Sequence, residues 1–267
     1  MIATTENIDN LSQLALADIG NTRVALATWS DGVRSEAEHV NTHPVEPVID
    51  WLQMKWEQFS SKRRRAVMMS SVCPPALKVL KTECKKRGID PLLVVGENLG
   101  LPIGADVPEP NKVGTDRLCA AAAAYERVKG VCVVADFGTA LTIDLVADNG
   151  VFLGGTILPG MALAARALHE HTAQLPLVEV GAPTEILGKD TASAIRNGIF
   201  AMMTGALREI TERYATEIGK WPPLILTGND APAVAKTCDF VDAVIPDLCL
   251  DGLVMAYRQH NLHHDND

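Results

Sequence analysis

The feature that most constrains the fold of this chain is a strand–loop–strand pattern that occurs twice. Residues 14–29, LALADIGNTRVALATW, contain two apolar runs around a polar loop with the turn dipeptide Gly-Asn, and they predict a β-hairpin. At residues 131–146, VCVVADFGTALTIDLV, an apolar run again ends in Asp-x-Gly and a second β-rich run follows. Because the two copies lie nearly half the chain apart, the repeat predicts two related halves.

Apolar periodicity outside the two hairpins predicts strands that alternate with helices. Strands are expected near 66–72, 92–96, 151–160 and 223–228, and helices near 46–60, 74–88, 118–128, 160–173 and 190–218. This alternation in both halves predicts an α/β fold with mixed sheets flanked by helices. We divide the chain into an N-terminal half, residues 1–112, and a C-terminal half, residues 113–267, with the proline-containing segment 97–113 as the linker.

Composition excludes several classes of function. The 267 residues include 33 acidic ones against 24 Lys and Arg, so the net charge of -9 argues against sequence-independent nucleic-acid binding. No apolar run reaches the roughly 18–20 residues that span a bilayer, and the first thirteen residues are polar, unlike a secretory leader. Six scattered cysteines without a C-x-x-C pair predict reduced, buried thiols. We expect a cytoplasmic globular protein that binds neither nucleic acid nor membrane.

The two hairpin loops carry residues suited to phosphate binding. Asp18 to Thr22 and Asp136 to Ala140 both place a Gly two residues after an acid, with a hydroxyl one or two residues further on. A Gly lets backbone N–H groups approach a phosphate closely, and a carboxylate fits beside a phosphate only if a cation lies between them. One copy alone would be read as an ordinary turn. Two copies resemble the actin-like, ribonuclease H-like ATPase superfamily, in which one loop from each half binds the nucleotide phosphates.

A third candidate element is PNKVGTDR, residues 110–117, which leads into an Ala-rich helix. Asp116 alone could be an N-cap or a first-turn acid. That interpretation leaves Arg117 unexplained, because a cation is unfavourable at the N-terminal end of a helix. Together the pair suits a different task, in which the carboxylate accepts a proton from a hydroxyl and the guanidinium binds a substrate carboxylate.

These motifs together resemble the type III pantothenate kinases. PNKVGTDR is similar to that family's P-x-x-x-G-x-D-R element, and further blocks occur in the family's order over about residues 14–256. These blocks are DIGNTR, SSVCP, DFGTALTID, FLGGTILPG, HTAQLP, G-x-x-T-x-x-A-I-x-x-G from Gly188 to Gly198, and LTGNDA. The resemblance implies two ribonuclease H-like halves, a homodimer, and phosphorylation of pantothenate to 4'-phosphopantothenate with ATP, the first step of coenzyme A biosynthesis.

The resemblance also implies roles for individual residues. ATP phosphates are assigned to Asp18, Ile19, Gly20, Asn21, Thr22, Arg23, Val24, Ala25, Gly138 and Thr139. Pantothenate is assigned to Gly114, Thr115, Asp116, Arg117 and Thr191, with Asp116 as the proton acceptor. Asp136 is expected to bind K⁺ or NH₄⁺, and Asp18 to hold Mg²⁺ through water. Two positions depart from the family, which commonly has Tyr at the place of Val107 and Asn at the place of Ala120.

The cation at Asp136 also has an argument from the residues. Asp136 ends an apolar strand, and no Lys or Arg occurs between Lys129 and Arg166, so the local sequence offers this carboxylate no cationic partner. Oxygen ligands around it would suit a hard cation. The alternative is a turn-closing acid that accepts hydrogen bonds from the amides of Gly138 and Thr139.

Further expectations concern assembly, core and alternatives. Ala- and Met-rich helical faces at 160–217 predict a dimer interface, and the polar end HNLHHDND is expected to be disordered. Five methionines are predicted in the core: Met54, Met68, Met69, Met202 and Met203.

Two alternative functions stay open at this point. One is a kinase or phosphatase of the same superfamily that acts on another substrate, and the other is a nucleotide-binding regulator without turnover.

Overall fold

The computed structural model describes Asp9 and residues 11–264, with side chains as far as Leu262. The strands are β1 Ser12–Ile19, β2 Arg23–Ser30, β3 Val33–Arg34, β4 Glu38–Asn41, β5 Arg64–Ser71, β6 Leu92–Val94, β7 Gly104–Ala105, β8 Cys132–Phe137, β9 Ala140–Val146, β10 Val151–Pro159, β11 Leu224–Thr227 and β12 Ala243–Val244. The helices are α1 Glu46–Gln58, α2 Pro74–Lys86, α3 Thr115–Val128, α4 Met161–Glu170, α5 Thr191–Ile218, α6 Ala231–Ala235 and α7 Leu248–His264. A 3₁₀ turn covers Pro110–Lys112. The polar segment at the start of the chain falls largely outside the described residues.

The chain forms two compact units that are interleaved in sequence. The first unit contains residues 1–123 and 247–267, and the second contains residues 124–246. This division differs from the predicted boundary between residues 112 and 113. The reason lies in α7 and the first part of α3, since Leu250 and Leu253 of α7 and Cys119 of α3 are buried in one cluster with Leu14 of β1. Nothing in the local sequence of α7 reveals which half its apolar face covers.

Both units contain a sheet with the same strand order and direction. The first sheet has the order β3–β2–β1–β5–β6, with β4 also on β2; β1 is antiparallel to β2 and parallel to β5. The strands of the second unit have the order β10–β9–β8–β11–β12, and β8 is antiparallel to β9 and parallel to β11. The internal repeat predicted from the two hairpins, and the α/β class with mixed sheets, are confirmed.

Helices cover the sheets through apolar faces that the sequence supplies. On one face of the first sheet, Val48, Leu52 and Trp56 of α1 pack with Leu80 of α2. In the second unit, α4 and α5 bury Met161, Ile199 and Met203 against β8 and β9. Pro74 and Pro75 open α2, where the missing N–H groups cost no helical hydrogen bond. Asp190 and Ser193 form a capping box at the start of α5.

Two predictions about packing and order are wrong. Met54 and Met202 are 42% and 41% exposed, whereas Met68, Met69 and Met203 are buried as predicted. The chain end was expected to be disordered from His260 onward, but α7 continues to His264. The charged and polar residues at that end extend a helix that is already anchored by its buried N-terminal turns.

All six cysteines are reduced and buried, as predicted. Among the described residues, no helix combines the length and apolar character needed to cross a bilayer.

Candidate active site

The first hairpin loop is held in shape by backbone hydrogen bonds. The Gly20 amide donates to the Arg23 carbonyl at 3.0 Å, and a Cβ at Gly20 would lie only 2.9 Å from that oxygen. The Thr42 hydroxyl donates to the Gly20 carbonyl at 2.8 Å, and the Thr42 amide donates to the Thr22 carbonyl at 3.0 Å. Asn21, Thr22 and Arg23 are exposed. The loop therefore presents polar groups to solvent on a fixed backbone.

Two carboxylates of the first unit lie near one buried thiol. Asp18 precedes the loop and Asp116 belongs to the first turn of α3. Burial raises the pKa of the Cys249 thiol well above its ordinary value, and a hydrogen bond with Cys119 and the charges of Asp18 and Asp116 raise it further. Asp18 is paired with Ser70 of β5, and the Ser70 hydroxyl lies 2.9 Å from that of Thr115, the residue before Asp116, so the fold places these two acids on adjoining elements although they are far apart in sequence.

Asp116 occupies a specific place in the first turn of α3. The Leu118 amide donates to the Gly114 carbonyl, so Gly114 is the capping residue and the N-cap interpretation of Asp116 is wrong. The Asp116 carboxylate instead turns back, with Oδ1 accepting a hydrogen bond from the Arg117 amide at 2.8 Å. A Cβ at Gly114 would lie 2.5 Å from that same oxygen. Burial raises the pKa of Asp116, and the Arg117 amide and guanidinium only partly oppose the shift.

The second loop is shorter and is built differently. The Gly138 amide donates to the Ala140 carbonyl at 3.1 Å, and the Gly160 amide donates to the Thr139 carbonyl at 3.0 Å. The Gly138 amide therefore forms its hydrogen bond within the turn. The turn-closing interpretation of Asp136 required this amide and that of Thr139 as donors to the carboxylate, so one of those two donors is engaged elsewhere. Gly138 and Thr139 are exposed at the tip of the hairpin.

Gly228 is a residue of this region that the sequence analysis did not assign to the site. It follows β11, which lies parallel to β8 with Thr227 opposite Asp136. Its φ of +90° suits Gly, and a Cβ there would lie 2.5 Å from Asp136 Oδ1. The Phe137 carbonyl oxygen lies 2.6 Å from the same Cβ position, so only a Gly lets the backbone here approach the carboxylate and that carbonyl so closely. The Gly that ends the apolar run PLILTG was the available signal, but the contact with Asp136 depends on strand pairing.

The structure also places the remaining residues that the sequence analysis assigned to pantothenate or compared with the family. Thr115 is the first residue of α3, and its hydroxyl is hydrogen-bonded to the end of β5. Thr191 is exposed and is the first residue of α5, after the cap Asp190. Val107 is half-buried, and Ala120 is buried within α3. Within the part of the chain that the structure describes, no group of three or more His, Cys, Asp or Glu side chains forms a metal site.

Solved structures show the fold. A putative 2-dehydro-3-deoxygalactonokinase from Sinorhizobium meliloti superposes with a TM-score of 0.57 at 13% identity, over 92% of this chain and 99% of that chain. MreB5 of Spiroplasma citri bound to ADP superposes with a TM-score of 0.50 at 10% identity, over 96% of this chain and 99% of that chain. At such identities the likeness shows the fold alone, which is that of the actin-like ATPases.

The family is defined by sequence. The model of the type III pantothenate kinase family matches residues 14–213. A protein named type III pantothenate kinase from Rhodospirillum rubrum is 36% identical over 253 residues, which are 92% of this chain and 98% of that protein. The chain belongs to the type III pantothenate kinase family.

Proposed function

We propose that this chain transfers the γ-phosphate of ATP to the primary hydroxyl of pantothenate, giving ADP and 4'-phosphopantothenate, the first step of coenzyme A biosynthesis. The observation that carries the proposal is the Gly114–Arg117 turn in a chain of this family. There a partly buried carboxylate and a guanidinium follow one another at the start of a helix. Family membership supplies the reaction class, and the turn supplies groups able to perform it.

We assign to Asp116 the role of accepting the proton of the pantothenate hydroxyl. The hydroxyl oxygen of pantothenate attacks the γ-phosphorus, the bond to the β–γ bridging oxygen breaks, and the hydroxyl proton passes to the Asp116 carboxylate. Phosphoryl transfer has a loose transition state, so the carboxylate mainly orients the nucleophile and takes its proton late. The raised pKa of Asp116 makes it a better base than an ordinary Asp. We assign the pantothenate carboxylate to Arg117, whose planar guanidinium matches it.

The rest of the pantothenate site is assigned to Gly114, Thr115 and Thr191. Gly114 and Thr115 take part through their backbone, since the Thr115 hydroxyl is hydrogen-bonded elsewhere. Val107 and Ala120 provide neither the phenol nor the amide that relatives commonly have. We expect them to weaken pantothenate affinity more than they change the reaction.

Both hairpin loops are assigned to the phosphates of ATP. The first loop covers Asp18 to Ala25, and its fixed backbone with exposed residues supports this role. Gly138 and Thr139 are the corresponding residues of the second loop. Asp18 would hold Mg²⁺ through water, and that ion would neutralise charge on the transferred phosphoryl group.

We assign a monovalent cation, K⁺ or NH₄⁺, to Asp136. The support is the close approach of Asp136 Oδ1 and the Phe137 carbonyl oxygen to one point beside Gly228, and the engagement of the Gly138 amide with Ala140. Carboxylate, hydroxyl and carbonyl oxygens are the ligands that hard cations prefer.

A homodimer is also part of the proposal. Within the described residues, most of the exposed large apolar side chains belong to the second unit. They are Leu153, Ile157, Leu163, Leu168, Leu177, Ile186, Leu187, Met202 and Trp221. This concentration supports an interaction surface on the second unit, and several members lie in the segment 160–217 that was predicted to form the interface. Light scattering of Met202→Glu tests this assignment. Met54→Glu, at a Met of equal exposure in the first unit, is the matched control.

The decisive experiment measures ADP release from ATP with and without pantothenate. We expect release that depends on pantothenate, with K⁺ present, and a product whose mass is that of phosphopantothenate. Equal turnover with a sugar would favour another kinase of this fold. Nucleotide binding without pantothenate-dependent turnover would favour a regulator. The cytoplasmic location predicted from the sequence stays a prediction.

A further inference from the structure

Three hydroxyl-bearing residues link the end of β5 to the start of α3. The Ser70 and Thr115 hydroxyl oxygens are 2.9 Å apart, and the Ser71 amide donates to Thr115 Oγ1 at 3.1 Å. Ser70 is fully buried. A hydroxyl has one donor and two acceptor positions, so these bonds occupy most of the capacity of Thr115. Its side chain is therefore directed to β5.

The carboxylate of Asp116 is held within the turn that Thr115 opens. Asp116 Oδ1 accepts from the amide of its neighbour Arg117 and lies against Gly114, where a Cβ would be 2.5 Å away. The Val72 side chain, just beyond β5, lies 3.3 Å from the same Cβ position of Gly114. A displacement of this turn relative to β5 would thus carry the carboxylate with it.

The same link reaches the carboxylate of the phosphate loop. β1 and β5 are parallel neighbours, and Asp18 is paired with Ser70 in their register. Paired residues on adjacent strands have side chains on the same face of the sheet. Ser70 is therefore beside Asp18 on one side and hydrogen-bonded to Thr115 on the other, between the two acids of the first unit.

We infer that the Ser70–Thr115 hydroxyl pair is a positioning element that fixes Asp116 relative to Asp18, and that Thr115 Oγ1 does not bind substrate. The kinetic consequence rests on the proposed function. Misplacing a catalytic group by about 1 Å can cost on the order of 100-fold in rate, so a lost hydroxyl here should lower kcat more than it changes stability. Thr115 and Ser70 are positioning residues, since they act through Asp116.

The test compares Thr115→Val, which keeps the shape and removes the hydroxyl, with Thr115→Ser, which keeps the hydroxyl. We expect Thr115→Val to lower kcat by about 10- to 100-fold with the KM for ATP changed by less than about threefold, and Thr115→Ser to recover most of that loss. Ser70→Ala should lower kcat similarly, and the double variant should be no worse than either single one. Thr82→Val is the control, because that exposed hydroxyl donates only to the Lys78 carbonyl of its own helix.

A second readout separates this inference from the proposed function. The ¹H–¹⁵N resonance of the Arg117 amide reports its hydrogen bond to Asp116, whether or not the protein turns over pantothenate. We expect that resonance to shift in Thr115→Val and Ser70→Ala, and to stay near the wild-type position in Thr115→Ser and Thr82→Val. An unshifted Arg117 amide in Thr115→Val, or a Thr115→Ser variant as impaired as Thr115→Val, overturns the inference. If wild-type protein fails to use pantothenate, the proposed function is wrong and the amide resonance alone decides the positioning role.

Discussion

The two hairpin loops differ in what lies beside their carboxylates, although their strands have the same order and direction. Asp18 is paired with Ser70 on the parallel neighbour β5, and Asp136 is paired with Thr227 on the parallel neighbour β11. In the first unit the neighbouring strand ends in Ser70 and Ser71, whose hydroxyl and amide respectively are hydrogen-bonded to Thr115 of α3. In the second unit it is followed by Gly228, whose backbone lies close against the acid. The repeated topology places an acid in each unit, and the residues at the end of the neighbouring strand decide what lies beside that acid.

The loops themselves also differ. Three residues, Gly20 to Thr22, separate β1 from β2, and two residues, Gly138 and Thr139, separate β8 from β9. Thr42 holds the longer loop through two hydrogen bonds, whereas the shorter loop closes through its own Gly138–Ala140 bond. The comparison assigns proton transfer to the first unit and cation binding to the second, and the following predictions test that division from the largest effect to the smallest.

Asp116→Asn should lower kcat by about 10²- to 10⁴-fold while ATP affinity stays close to that of the wild type. Asn keeps the size and the ability to accept from the Arg117 amide, but it cannot take the proton. Steady-state kinetics with pantothenate and direct nucleotide titration provide the two measurements. Asp106→Asn, at an exposed carboxylate on the segment before α3, is the control. A near-normal kcat in Asp116→Asn would remove the proton-acceptor role.

Gly228→Ala should lower activity at least about tenfold and abolish the difference between K⁺ and Na⁺ buffers, because its Cβ would lie 2.5 Å from Asp136 Oδ1 and 2.6 Å from the Phe137 carbonyl oxygen and would displace these two oxygens. The matched control is Gly219→Ala, at the C-terminal cap of α5. Its φ of +74° carries the same backbone cost of about 1–2 kcal/mol, yet no atom lies within 4 Å of the new Cβ. Activity is measured in each salt. A Gly228→Ala variant that still responds to K⁺, or wild-type protein fully active in Na⁺ alone, would contradict the cation assignment.

The acid limb of the pH profile should reflect Asp116. The ionised form accepts the proton, so kcat/KM for pantothenate should fall about tenfold per pH unit as the pH drops below the pKa of this carboxyl. Because burial raises that pKa above its ordinary value near 3.8, the limb should lie at higher pH than an exposed Asp would give. Circular dichroism over the same range checks that the protein stays folded. Activity that stays constant down to the onset of unfolding would contradict this prediction.

The smallest expected effect is on stability, where Asp116→Asn should raise the free energy of unfolding at pH 7 by about 1 kcal/mol, or Tm by roughly 2–4 °C. The folded-state pKa is above the unfolded one, so the ionised carboxylate destabilises the fold. This penalty develops as the pH rises from the unfolded pKa to the folded one, and it should vanish in acid. Thermal melts at several pH values measure the difference. A variant less stable at pH 7 than at low pH, relative to wild type, would contradict the sign.

Much of the secondary structure could be predicted from local sequence. The two hairpins, α1, α2 and α5 were predicted within a few residues, since their signals are apolar period, Pro at helix starts and Gly at ends. Met54 and Met202 were predicted wrongly, because a Met at helical spacing does not reveal which side of the helix the core covers. The end of α7 was also predicted wrongly, since its polar residues follow turns that are held by tertiary packing.

The sequence by itself determined the repeat, the chemistry-bearing loops and the Asp116–Arg117 pair, because each is a contiguous pattern of a few residues. Only the tertiary structure decided that α7 belongs to the first unit, that Gly228 lies against Asp136, and that Ser70 joins Thr115. These are relations between segments distant in the chain. They depend on strand order, register and helix packing, which arise from burying apolar area as a whole rather than from any local pattern.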